Sequence, residues 1–96
     1  MITREKKSST AMFVVRNDKG LHTRPSTELV RRAATFRSDI HLVYKKQEVN
    51  AKSLLGILML AAPRGAKIRV VAEGADAKDA VEAIVDLADQ SFHIQY

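Results

Sequence analysis

The chain has 96 residues, 46% of them hydrophobic and 28% charged, so it is a single domain, able to take roughly 60–70% of its unfolded surface out of water, and not a disordered polymer. It contains no cysteine, which excludes a disulfide scaffold, a zinc–thiolate centre and a cysteine nucleophile and agrees with a reducing compartment. The net charge is +5, but aromatic residues are only 5% and tryptophan is absent, so a stacking platform for single strands is poorly supplied and charge alone gives no reason to expect a nucleic-acid partner.

Residues 1–10 are polar, carry Arg4, Lys6 and Lys7 against Glu5, and show no periodicity. They are expected to form a flexible N-terminal tail, with the domain over 11–96 and its core over about 11–90. Residues 11–15 are apolar and partly β-branched and predict a strand. The run stops at Arg16, too soon for the apolar region of a signal peptide. Asn17-Asp18-Lys19-Gly20 is a turn cluster with a glycine available for positive φ. Leu29, Val30, Ala33 and Ala34 then recur at helical spacing, with Arg31 and Arg32 on the other side. Pro25 is tolerated only in a first turn, where its missing N–H costs nothing, so this helix must start near His22 or Thr23.

Ile40, Leu42 and Tyr44 alternate with His41 and Val43 as a half-buried strand, Lys45-Lys46 makes a polar tip, and 47–50 return as the second arm of a hairpin. Ser53 can cap a short helix over 54–60, which Pro63-Arg64-Gly65 ends. The apolar stretch 54–62, broken by Gly56, falls short of the roughly 20 residues a membrane span needs, and a soluble cytoplasmic protein is expected. Ile68, Val70 and Ala72 alternate as a last strand closed by Gly74. In the final helix Val81, Ile84, Val85 and Ala88 form the apolar stripe, and Asp79, Glu82, Asp86 and Asp89 the wet face. The order is β-α-β-β-α-β-α. Both long helices must bury their stripes on one face of an antiparallel sheet, which is an α+β two-layer fold.

Three histidines are available for chemistry. His41 reads as a solvent-facing strand residue and His93 as part of a frayed C-terminal stretch. The three are too far apart for local metal-ligand spacing, and no metal or cofactor is expected. His22 differs in its company, Gly20-Leu21-His22-Thr23-Arg24-Pro25-Ser26. A glycine turn delivers the chain into a helix, with His22 at or beside the N-cap. Unpaired backbone N–H groups and the helix dipole make such an end a ready anion site. Arg24 adds a planar cation suited to phosphate oxygens. A neutral imidazole beside an anion nest is what a phosphorylated histidine needs, although a histidine that merely caps a helix fits the same pattern.

The second cluster is Asn50-Ala51-Lys52-Ser53-Leu54-Leu55-Gly56. Ser53 reads as a structural N-cap or as a phosphosite at a helix start, where added charge is tolerated. The stretch 54–59 is too apolar for a short surface helix with one buried side, so it is either core or a docking patch. The carboxylates of the last helix are a solvated face, and no nucleotide-binding loop or Ser-His-Asp arrangement is present.

With G-L-H-T-R-P beginning at Gly20 and N-A-K-S-L-L-G beginning at Asn50, the sequence resembles HPr, the histidine-containing phosphocarrier family of the bacterial phosphoenolpyruvate:sugar phosphotransferase system. The resemblance covers about 11–90 and implies an open-faced two-layer sandwich, a four-stranded antiparallel sheet with three helices on one face. It implies a carrier and not a free-standing enzyme. His22 would take a phosphoryl group on Nδ1 from phosphorylated enzyme I and pass it to an enzyme IIA domain, with Arg24 steadying the phosphate. Ser53 matches the family's regulatory serine, modified in many Gram-positive-type systems by an ATP-dependent HPr kinase/phosphorylase. Thr23, Leu54, Leu55 and Leu58 would meet partners, and a monomer is expected of a carrier that offers one face to several of them. Residues 1–10 extend beyond the family's usual start, Ser26 stands where alanine is common, and the loop Arg16-Asn17-Asp18-Lys19 is more charged than in many members. The alternative is a regulatory module, either a nitrogen-related paralogue or a co-regulator of transcription phosphorylated at Ser53.

Overall fold

Alternation along four segments and 3.6-residue periodicity along three give the elements in their expected order. The computed structural model describes residues 7–94. Strand β1 (Ser8–Val14) is followed by helix α1 (Thr23–Ala34), strands β2 (Asp39–Tyr44) and β3 (Gln47–Asn50), helix α2 (Leu54–Met59), strand β4 (Lys67–Glu73) and helix α3 (Ala77–Asp89). The sheet is antiparallel throughout, in the order β1-β4-β2-β3. Its register sets Phe13 opposite Ile68, and Val70 between Ala11 and Leu42. With a side-chain period of two, this puts Phe13, Ile40, Leu42, Ile68, Val70 and Ala72 on one face, all of them buried.

The helices cover that face. Leu29 and Ala33 of α1, Ile57 of α2, and Val81, Ile84 and Leu87 of α3 complete the core, each buried Leu or Ile stabilising the fold by about 1.5–3 kcal/mol. The opposite face is open: Met12 is 56% and Val14 42% exposed. His41 lies on this face as expected, half-buried, with Nδ1 3.0 Å from Glu48 Oε2 on the neighbouring strand. Among the described residues no helix is long and apolar enough to cross a membrane.

Both ends differ from the expectation. Residues 1–6 of the expected tail lie outside the described residues, but Ser8, Ser9 and Thr10 are strand, paired with Glu73, Ala72 and Val71. A ladder is made by backbone groups, and β4 runs far enough to pair with polar residues that no hydrophobic pattern marks. At the other end the core does not stop near residue 90. Ser91–His93 form a short 3₁₀ turn in which all three φ values are positive, 52°, 56° and 61°. The turn seats Phe92, fully buried, edge-on to Phe13 with ring centroids 5.9 Å apart. A large aromatic side chain buried in the core helps to hold such a segment down. His93, expected in a frayed end, is exposed but sits on this ordered turn.

The turn that enters α3 is held by a glycine and a carboxylate. Gly74 has φ +146°, and a Cβ there would lie 2.6 Å from Ser38 Oγ and 2.8 Å from Ser38 Cα, so only glycine fits. Two residues on, the Asp76 carboxylate accepts hydrogen bonds from the Ser38 hydroxyl and from the N–H groups of Arg37 and Ser38, at 2.8 and 2.9 Å for the amides. The Ser38 hydroxyl, then the Arg37 amide, lower its pKa from 3.8 to about 2.

Candidate functional site

The His22 loop is shaped by contacts from behind. Gly20 has φ +70°, and a Cβ there would lie 2.3 Å from the Ala62 carbonyl oxygen and 2.9 Å from Pro63 Cα. The glycine therefore lets the loop press directly on the segment leaving α2. Gly20 N–H donates to the Asn17 carbonyl and Leu21 N–H to the Ala62 carbonyl, both at 2.9 Å. Leu21 is buried, so the chain turns outward at the next residue.

That residue is His22, the N-cap of α1, with extended backbone at φ −76° and ψ −172°. Its carbonyl accepts the N–H of Ser26 at 3.1 Å, the first turn of the helix. Its ring makes no capping hydrogen bond. The amides of Thr23 and Arg24 precede that first bond and lie at the positive end of the helix dipole. Pro25 is buried in the first turn, as its missing N–H requires. Ser26, noted as a departure from alanine, is fully buried and donates its hydroxyl to the Leu21 carbonyl at 3.0 Å. It staples the turn before the histidine to the turn after it.

His22 lines a shallow pocket of about 450 Å³ with Lys19, Leu21, Thr23, Leu58, Ala61, Ala62 and Pro63. Two expected site residues, Thr23 and Leu58, thus join the histidine, the second from α2. Arg24 stands exposed on the first turn of α1 and is not part of this lining. Lys19 is a cation that sequence reading passed over as a turn residue; its signal was a place three residues before His22, across the glycine turn. His41 and His93 do not line the pocket, and among the described residues no group of three His, Asp or Glu is arranged to hold a metal.

Ser53 is the N-cap of α2, and its Oγ accepts the N–H of Gly56 at 3.1 Å. The segment before it is fixed by Lys52 N–H to Asn50 Oδ1 and by Lys52 Nζ to the Phe36 carbonyl, each 2.8 Å. Ser53 is outside the histidine pocket, at the far end of the helix that supplies Leu58. Part of the stretch 54–60 is core and part is exposed. Ile57 and Leu60 are buried, Leu58 is half-buried, and Leu54 and Leu55 are 36% and 69% exposed. Met59, part of that stretch but not among the residues expected individually to meet partners, is also 69% exposed; its spacing of four from Leu55 puts both on one helical face.

The sequence profile described as the PTS HPr component phosphorylation site matches residues 9–90. Solved structures agree. An HPr from Thermoanaerobacter tengcongensis is 34% identical, with TM-score 0.87, over 92% of this chain and 99% of that one. The phosphocarrier protein HPr from Bacillus anthracis is 35% identical, with TM-score 0.78, over 82% and 94%. The catabolite repression protein Crh of Bacillus subtilis, described as a swapped dimer, is 30% identical, with TM-score 0.70, over 95% and 97%. A four-stranded antiparallel sheet with three helices in the order β-α-β-β-α-β-α is shared with these structures, and a profile spanning His22, Arg24 and Ser53 makes the chain a member of the HPr phosphocarrier family.

Proposed function

We propose that this chain carries a phosphoryl group on His22, taking it from phosphorylated enzyme I, which draws on phosphoenolpyruvate, and handing it to an enzyme IIA domain. The observation that carries the reading is the position of His22 at the N-cap of α1, inside the matched phosphorylation-site profile, with its ring not spent on capping the helix. The Nδ1 lone pair would displace the donor imidazole from phosphorus, forming one N–P bond as the other breaks. The outward amides of the first turn and the Arg24 fork would receive the phosphate oxygens, since backbone N–H groups and guanidinium both favour dianions. Lys19 would add positive charge on the pocket side. Thr23 with the apolar Leu54, Leu55, Leu58 and Met59 would form the surface on which enzyme I and enzyme IIA dock in turn. A monomer serves this role.

A reconstituted relay of phosphoenolpyruvate, enzyme I, this chain and an enzyme IIA domain tests the reading. Phosphate is expected on the enzyme IIA domain only when this chain is present. Arg24→Ala should slow its own phosphorylation about 10- to 100-fold, the scale of one hydrogen bond to a charged group. Phosphorylation of the chain without onward transfer to any enzyme IIA domain would overturn the relay, and an unchanged rate in Arg24→Ala would remove that residue's role.

A second reading is favoured by Ser53 as an N-cap and by the likeness to Crh. Phosphate on Ser53 would sit at a positive helix end beside Leu54 and Leu55, altering that docking surface. Incubation with HPr kinase/phosphorylase and ATP, with Ser53→Ala alongside, tests it; phosphate retained in Ser53→Ala would exclude this residue.

A further inference from the structure

We propose that Asn17 is a positioning residue for His22, latching the C-terminal turn to the loop that presents the histidine. The inference rests on the phosphocarrier reading of His22 and adds a part to it. Asn17 belongs to a cluster whose composition suggests only a polar surface turn, yet it is 2% exposed. Its Nδ2 donates to the carbonyls of Ser91 at 3.0 Å and Ile94 at 2.9 Å, residues 74 and 77 positions away. These use both hydrogens a side-chain amide has to give. The Asn17 backbone carbonyl meanwhile accepts the N–H of Gly20. One residue therefore grips the end of the chain and closes the turn that leads to His22.

The turn that Asn17 grips needs a holder. Ser91, Phe92 and His93 are three successive left-handed residues, none a glycine, a conformation that L-residues disfavour. Phe92 anchors it from inside the core and Asn17 from the loop side. Removing the amide leaves two carbonyls without these donors and frees the back of the histidine loop. A catalytic group displaced by about 1 Å can lose on the order of 100-fold in rate. For Asn17→Ala a loss of roughly tenfold in kcat for phosphorylation by enzyme I is expected, with KM within about twofold, because the docking surface on α2 is untouched.

The test compares the full-length protein with Asn17→Ala, with Phe92→Leu, which loosens the same turn from the core side, and with the double variant. Ile84→Val is the control for a general loss of stability. Amide NMR signals and hydrogen exchange at Gly20, Leu21 and His22 are read first, then kcat and KM. Both single variants should perturb those three amides and lower kcat, the double variant should be no worse than the stronger single one, and Ile84→Val should do neither. Lower melting temperatures with those amides and kcat unchanged would show a purely structural role and overturn the proposal. Independent, multiplying effects of the two single variants would overturn it too. Should Asn17→Ala not fold, Phe92→Leu decides by the same amides. If the wild type accepts no phosphate, the phosphocarrier reading falls, while the amides still report whether the latch reaches the loop.

Discussion

Helices α1 and α2 begin in opposite ways. At α2 the N-cap side chain does the capping: Ser53 Oγ takes the Gly56 amide. At α1 the N-cap is His22, whose ring does not cap, and the start of the helix is tied down by other groups, Ser26 Oγ of its own first turn on the Leu21 carbonyl and Leu21 N–H on the Ala62 carbonyl. A helix end needs its orphan groups satisfied or solvated. Where a cap side chain does that work it is part of the structure, and modifying it alters the helix. Where the N-cap side chain makes no capping bond, as at His22, a change to it leaves the capping of the helix untouched. On the proposed function, the same helix-start physics would make one site a regulatory lever and the other a carrier.

The contrast is broken or sharpened by substitution. The largest effect expected is in function and not in stability. His22→Ala should accept no phosphate, yet its melting temperature should fall by no more than about 2–4 °C, since a partly exposed residue without a capping bond is worth within about 0.5 kcal/mol. A drop far beyond that would show His22 to be a structural cap after all. Ser53→Ala should behave the other way. Loss of a serine cap costs about 1 kcal/mol, which lowers the melting temperature of a domain this size by about 4–8 °C, while His22 is still phosphorylated. An unshifted melting curve would show that the Gly56 contact contributes nothing.

The smallest effect concerns the third helix start. Asp76, N-cap of α3, gives its carboxylate to Ser38 and Arg37 instead of to its own helix. Its pKa is about 2 against 3.8. The folded state thus favours the ionised form, so its contribution is present above pH 3.8 and is lost as pH falls through about 2. Asp76→Asn should flatten the acid limb of melting temperature against pH in that window. The same slope in both proteins would count against the carboxylate clasp.

What the amino-acid pattern revealed follows from how local each signal is. Pro25 alone placed the start of α1, because only a first turn tolerates it. The alternation of Ile68, Val70 and Ala72 located β4 and its buried face without reference to anything else. Ser8–Thr10 were missed because they are polar and become strand only through β4, some sixty residues on. Phe92 was missed because one apolar residue among polar ones has no period, and its partner Phe13 lies across the domain. Within the site, the motif around His22 and the cap at Ser53 were legible as local sequence. Asn17 and Lys19 were not, because each works on a carbonyl or a pocket formed by chain folded back from elsewhere; the Ser26 bond to the Leu21 carbonyl spans only five residues but leaves no periodic mark.

The most direct measurement is intact mass after incubation with phosphoenolpyruvate, magnesium and purified enzyme I, with His22→Ala beside the wild type. One added phosphate is expected on the wild type, lost on brief acid treatment and absent from the variant. An acid-stable phosphate, phosphate still present on His22→Ala, or no phosphate with an enzyme I that is active on another HPr would contradict the assignment of His22 as the carrier.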